Sequence, residues 1–169
     1  MTKKAEQPKR FAKENLAGAQ FEDVDLAKAV FRDVHLCSAV FEDADMSEAR
    51  LSDVSLEESE LDDLSFADAQ LRNVSFENAS LDDVTLENAR IQNTSFENAS
   101  LDDVSFVKAS IKNADFSGSS WDDINLKKTR IKNVNLSGAE WSDCNIEGLV
   151  INGVRIDELL KTAGKTKKK

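Results

Sequence analysis

This chain is expected to fold as an all-β solenoid, four-sided with twenty residues per coil, and three periodicities in the sequence predict it. Every position ending in 1 or 6, from Phe11 to Ile156, is Leu, Ile, Phe, Met or Trp, thirty in a row. In a chain that is 40% hydrophobic, thirty chance hits have a probability of roughly 10⁻¹², so the period is real. A smaller apolar position alternates over ten residues: Ala29, Ala39, Ala69, Ala79, Ala89 and Ala99 interleave with Val24, Val34, Val54, Leu64, Val74 and Val84. Acidic pairs recur at twenty residues: Glu42-Asp43, Asp62-Asp63, Asp82-Asp83, Asp102-Asp103 and Asp122-Asp123. A short fixed period is the mark of a repeat architecture.

The repeating unit is small–polar–large–polar–polar, as in Ala79-Ser80-Leu81-Asp82-Asp83. Its first and third residues share one face of a short extended piece, because strand side chains alternate. The next two are polar and must turn the chain before the pattern restarts. A helix would repeat at 3.6 residues and a coiled coil at 3.5, so a period of five excludes both. The ten-residue alternation stacks like on like only if a coil has an even number of sides. With the acidic period of twenty, four sides is the economical solution, and residues 11–158 then wind about seven coils.

These residues resemble the pentapeptide-repeat family, whose motif is A-(D/N)-L-X-X. Matching stretches are Ala79-Ser80-Leu81, Ala99-Ser100-Leu101 and Ala114-Asp115-Phe116, and the resemblance covers about residues 14–158. It implies a right-handed quadrilateral β-helix. Asp and Asn are uncommon at the second motif position here, where Ser, Arg or Thr often stands; that position points outward.

In chain order, residues 1–10 are expected to form a basic flexible tail, with four bases against one acid. Residues 11–158 form the solenoid, whose buried large side chains would contribute roughly 1.5–3 kcal/mol each before chain entropy is subtracted. Each coil touches only its neighbours, so both ends need covers. Residues 157–164, Asp-Glu-Leu-Leu-Lys-Thr-Ala-Gly, read as a short cap helix with acids in its first turn and Gly at its stop. Leu159 and Leu160 either close the last coil or meet a second copy in a homodimer. Residues 165–169 are a Lys-rich tail. No apolar run approaches the ~18 residues needed to cross a membrane, and the N-terminus has no secretory h-region. A cytoplasmic protein is expected.

The net charge of −10 hides a segregated distribution. Residues 41–105 alone hold eighteen acids against Arg50, Arg72 and Arg90. On a four-sided coil Glu22, Asp23, Glu42, Asp43, Asp62, Asp63, Asp82, Asp83, Asp102, Asp103, Asp122, Asp123 and Asp143 all project from one face. Lys13, Arg32, Arg72, Lys112 and Lys132 stand opposite, with Arg50, Arg90 and Arg130 at the adjoining outward position. The acids admit three readings. They keep a rod with open edges soluble; they hold a hard cation between stacked carboxylates, although no loop of calcium-ligand spacing is present; or they imitate a nucleic-acid surface for a basic protein partner. The resemblance favours the third, since quinolone-resistance members of the family are rod-like dimers that mimic duplex DNA and bind the type II topoisomerases gyrase and topoisomerase IV. Unlike several of them, this chain has no loop interrupting the repeat. The alternative is a generic structural or protein-interaction scaffold whose acids serve solubility alone.

An enzyme is not expected. Catalysis needs a pocket and a nucleophile–base pair, whereas the single His, His35, points outward beside Cys37 with no cleft in prospect. There is no Gly-rich phosphate loop and no His/Cys metal spacing, so no cofactor or metal is assigned. Cys37 and Cys144 lie about five coils apart, beyond disulfide reach. Cys144 falls on a small inward slot and Cys37 on an exposed one. Direct nucleic-acid binding is not expected either, because the net field repels phosphate. Trp121 and Trp141 should stack beneath the acidic face, and Phe76, Phe96 and Phe116 should form a similar inward column.

Overall fold

The computed structural model describes residues 8–166. Of the two expected tails, residues 1–7 and 167–169 lie outside the described residues. Arg10 already belongs to the first strand, Arg10–Ala12.

Two parallel sheets stand on opposite sides of a square coil. One has nine strands, running from Arg10–Ala12 through Val30–His35, Arg50–Ser55, Gln70–Ser75, Arg90–Ser95, Ser110–Asp115 and Arg130–Asn135 to a terminal hairpin. The other has seven, from Gln20–Glu22 to Glu140–Trp141. Every parallel pairing joins a residue to the one twenty further on, as in Leu51↔Leu71 and Leu101↔Trp121. A coil is therefore twenty residues, and the rise per coil is the strand spacing, ~4.8 Å.

Two kinds of corner turn the chain. At one, the amide four residues into the unit closes a turn, as Ala29 N–H donates to the Leu26 carbonyl and Ala39 N–H to Leu36. The residue before it, Lys28 or Ser38, takes a positive φ near 60°. Side chains at the turn entry brace it: Asp25 Oδ1 accepts from Ala27 N–H at 2.9 Å and Asp45 Oδ1 from Ser47 N–H at 2.8 Å. The other kind of corner has its positive φ inside or just after a strand, at positions such as Asp43, Asp63, Asn73 and Asn93. Of the twenty-five non-glycine residues with positive φ among the described residues, eighteen are Asp or Asn, the two types whose short polar side chains best tolerate left-handed backbone. The polar pair of each five-residue unit is thus selected by backbone conformation as well as by exposure.

The interior is four columns of large side chains, one from each side of the coil, with small ones between them. Phe76, Phe96 and Phe116 form the expected column, with ring centroids 4.8 and 4.6 Å apart and planes within 8°. Trp121 and Trp141 stack at 4.6 Å. Polar groups that enter the core are satisfied. Trp121 Nε1 donates to Ser119 Oγ at 2.7 Å, which donates to the Phe116 carbonyl, and Thr129 Oγ1 donates to the Phe106 carbonyl at 2.6 Å. Such pairing offsets the cost of placing polar atoms in an apolar interior.

The expected C-terminal helix is present, and a hairpin leads into it. The chain reverses at Asn152-Gly153, both with positive φ (49° and 85°), pairing Ile151 with Val154 in a two-residue antiparallel hairpin. This is the turn that Asn-Gly favours. The helix that follows spans Ile156–Thr166. Ile156 packs against the core, and the buried Asp157 carboxylate ties the helix start to the last coil. It accepts from Gly148 N–H at 3.0 Å and from Arg155 Nε and Nη2 at 2.9 and 2.7 Å. The Arg155 guanidinium, then the Gly148 amide, hold that carboxyl well below the usual carboxylate range. Leu159 and Leu160 do not close the coil: each is 54% exposed, because the hairpin carries the helix away from the core after Asp157. Beneath it Leu136, Trp141, Ile146 and Ile151 are only partly buried.

Cys37 is half-buried rather than exposed, with its Sγ 3.1 Å from Ser55 Oγ. Cys144 is a half-buried free thiol whose Sγ donates to the Ser142 carbonyl, and burial pushes its pKa up.

Candidate functional site

The thirteen acids singled out by the period occupy one side of the rod in two parallel columns. Glu22, Glu42, Asp62, Asp82, Asp102 and Asp122 are direct lateral partners in the seven-stranded sheet. The column ends at Ser142, whose Oγ donates to Asp122 Oδ1 at 2.7 Å. The second column, Asp23, Asp43, Asp63, Asp83, Asp103, Asp123 and Asp143, sits one residue on, at the left-handed corner, with φ between 47° and 51°. All thirteen are exposed, and none is ion-paired among the described residues. Glu60 and Glu140 lie in the same sheet, at the outward position before the large apolar residue. The five-residue period would have found them had that position been read for charge.

Stacking like charges has a visible electrostatic effect. The Asp63 carboxyl is pushed above its ordinary range, first by sharing a hydrogen bond with the Asp43 carboxyl, then by desolvation and by the charges of Asp43, Asp83 and Asp62. The diagonally opposite corner behaves in the reverse way. There the same backbone position is filled by Lys13, Asp33 and Asp53 and then by Asn73, Asn93, Asn113 and Asn133. Each Asn Nδ2 donates to the side-chain oxygen one coil earlier, at 2.7, 3.1, 3.0 and 2.8 Å in turn. The amide of Asn73, with Ser52 Oγ, lowers the Asp53 pKa. One corner is a closed amide ladder and the other a column of carboxylates with no donors of its own.

The opposite sheet carries the bases. Arg32, Arg72, Lys112 and Lys132 share one lateral column with Ser52 and Gln92, and Arg10, Arg50, Arg90 and Arg130 share the next with Val30, Gln70 and Ser110. Lys13 stands at the corner instead, with φ 57°. His35 is exposed and lies beside Ser55 in the ladder, and among the described residues no hydrogen bond joins it to Cys37, whose Sγ lies against Ser55 Oγ. Among the described residues no group of three or more His, Cys, Asp and Glu is arranged to hold a metal ion. No helix among the described residues is long and apolar enough to cross a membrane.

A square parallel solenoid with five-residue sides places the chain in the class of repeat β-solenoids. The chain is a member of the pentapeptide-repeat family: the model described as "Pentapeptide repeat region" matches residues 9–86 and 60–136. None of the curated proteins matches it. Among solved structures, a trypsin-treated form of QnrB1, a plasmid-mediated fluoroquinolone resistance protein, superimposes with a TM-score of 0.58 at 17% identity, covering 92% of this chain and 96% of that one. A pentapeptide repeat protein from the Arabidopsis thaliana thylakoid lumen matches at 20% identity over 72% of this chain and 67% of that one, with a TM-score of 0.34. HetL, involved in heterocyst differentiation regulation in Nostoc, matches at 19% identity over 85% and 87%, with a TM-score of 0.23.

Proposed function

We propose that this protein is a non-enzymatic binding rod whose acidic face docks on the basic, DNA-binding surface of a type II topoisomerase, as a DNA mimic that modulates the enzyme or protects it from quinolones. The observation that carries this reading is the contrast between the two corners. Left-handed backbone accepts Asn as readily as Asp, and one corner uses Asn73, Asn93, Asn113 and Asn133 to form a cohesive ladder. The other uses Asp at every rung from Asp23 to Asp143 and pairs none of them with a base. Conformation does not require those charges and folding is weakened by them, so recognition is the reason for their presence. The fold shared with QnrB1 agrees with this.

The test is gyrase supercoiling with the parent chain and with a variant carrying Asp62, Asp63, Asp82, Asp83, Asp102 and Asp103 all changed to Asn. The parent should inhibit at micromolar concentration and lose that effect steeply as salt rises, while the variant should be inert. Equal inhibition by both would remove the acidic face from the mechanism. If neither inhibits, the ladder reverts to a solubility feature of a scaffold with another partner.

The same reading includes a homodimer through the C-terminal helix. Leu159, Leu160 and Val154 are exposed together there, at 54%, 54% and 48%, beside the partly buried Trp141 and Ile151. Joining two rods end to end covers this apolar end and lengthens the acidic face. Sedimentation equilibrium should give twice the chain mass for the parent and the single mass for Leu159→Asp with Leu160→Asp. An unchanged mass would sink the dimer at this helix.

A further inference from the structure

Six of the chain's seven arginines, Arg10, Arg32, Arg50, Arg72, Arg90 and Arg130, stand on the outer face of the nine-stranded sheet. The seventh, Arg155, is used in the helix cap. The fifteen lysines are scattered by comparison, and among the described residues only Lys112 and Lys132 join this face. The lateral registers place the bases in a zigzag. One stands in the first column, the next is one coil on and two residues across, and the alternation continues to Lys112, with Arg130 and Lys132 closing it side by side. The intervening slots hold mostly Ser52, Gln70, Gln92 and Ser110, and no acid occupies either column. None of the six arginines is ion-paired among the described residues.

The C-terminal half of this strip is the most strongly cationic. Asp33 and Asp53 border its first coils, but from residue 73 the neighbouring corner is the neutral Asn ladder, already closed upon itself. On the other border, Lys108 and Lys128 occupy the turn corners beside Lys112 and Arg130, where earlier coils have Glu48 and Asp68. Arg90, Lys108, Lys112, Lys128, Arg130 and Lys132 therefore form a continuous band with no carboxylate in it or at its edge corners.

The geometry points to this band as a second binding surface, for the phosphodiester backbone of a nucleic-acid strand. Three features choose that partner. Guanidinium is the side chain suited to bidentate phosphate contact, and the neutral slots supply further donors. Stacking aromatics are missing from both columns, which suits backbone contact without base readout. The strip is also narrow, two residues wide, with carboxylates at its borders over the first half. A strand can lie along it, one base per ~4.8 Å against one phosphate per ~3.4 Å of duplex axis per strand, whereas a membrane surface would press on the bordering acids too. Net charge argues against a polyanion only at long range. The two sheets pack about 10 Å apart and their charged tips stand farther apart still, more than the ~8 Å screening length at physiological salt.

This inference stands apart from the topoisomerase reading, and the experiment separates them. Fluorescence anisotropy would follow full-length protein binding labelled DNA of about 20 nucleotides, duplex and single-stranded, across roughly 50–200 mM salt. The parent should bind with a Kd of about 10⁻⁴–10⁻⁶ M, typical of sequence-independent contact. Changing Arg90, Lys112, Arg130 and Lys132 to Gln should weaken binding at least ~10-fold and flatten the log–log salt slope by about three to four, near 0.9 per phosphate contact. A milder pair, Arg90→Lys with Arg130→Lys, keeps the charge and removes the fork, so its slope should hold while affinity falls; it also serves if the fourfold variant does not fold. The sixfold Asn variant of the acidic face should bind DNA at least as well as the parent. No binding by the parent at the lowest salt, an unchanged affinity and slope in the fourfold variant, or tighter capture of poly-glutamate or anionic phosphatidylserine vesicles than of DNA would each overturn the proposal.

Discussion

Replacing Phe96 with Ala is expected to cost about 3–5 kcal/mol, the range for deleting a fully buried aromatic ring. Phe96 has no exposed surface, lies between Phe76 and Phe116 at 4.8 and 4.6 Å, and meets the edge of Phe106 at 6.4 Å. Coils contact only their neighbours, so the hole cannot be filled from elsewhere, and the rod would be weakest at that point. For a chain of this length each kcal/mol moves the melting temperature by about 2–4 °C, which makes a fall of roughly 6–20 °C. Far-UV circular dichroism would measure it against Phe11→Ala. That ring stacks on Phe31 alone and is only partly buried, so its loss should cost clearly less. Equal costs would mean that the aromatic column does not organise the core.

Two deletions of different length should give opposite results. Removing residues 91–110 takes out one whole coil and joins Arg90 to Ile111. Every remaining residue keeps its side of the square, with Leu71 beneath Ile111 and Asn73 beneath Asn113. That variant should fold and melt cooperatively at a modestly lower temperature. Removing only residues 91–95 is a quarter as large yet turns everything downstream by one side. Leu101 would then leave its partner Leu81 for a place above Phe76, and the acid column after Asp82 would rotate onto a face of hydrogen-bonded turns. A strand face cannot continue the ladder of a turn face, as a register slip misplaces every pair at once. Loss of the cooperative melt is expected. A five-residue deletion that melts like the parent would show that the unit of folding is the side and not the coil.

The fold was legible because its cause is periodic. A large apolar residue at each fifth position says where the interior is, and the acidic pairs say how many sides close a coil. The thirteen acids were placed together for the same reason, since the register of twenty that stacks Leu61 on Leu81 also stacks Asp62 on Asp82. What the period does not encode was missed. Asn152-Gly153 breaks the repeat, so its hairpin and the departure of Leu159 and Leu160 from the core depend on a local turn signal. The difference between Asn93, which donates to its neighbour, and Asp63, which faces carboxyls of like charge, needs the corner geometry in hand. The basic neighbours of Arg10 make it look like part of a tail and mask its place at the head of the arginine strip.

The rungs of the acidic column repeat by simple translation of ~4.8 Å, and that gives the surface a property that single sites lack. A partner that spans two rungs would find nearly the same carboxylates after sliding by one coil, because Glu22, Glu42, Asp62, Asp82, Asp102 and Asp122 present equivalent groups. Docking would then be degenerate. With about five equivalent placements the statistical gain is RT ln 5, about 1 kcal/mol, without one additional contact. The bound partner could also step along the rod instead of dissociating, so loss of a single rung would lower the number of placements and leave the strength of each unchanged.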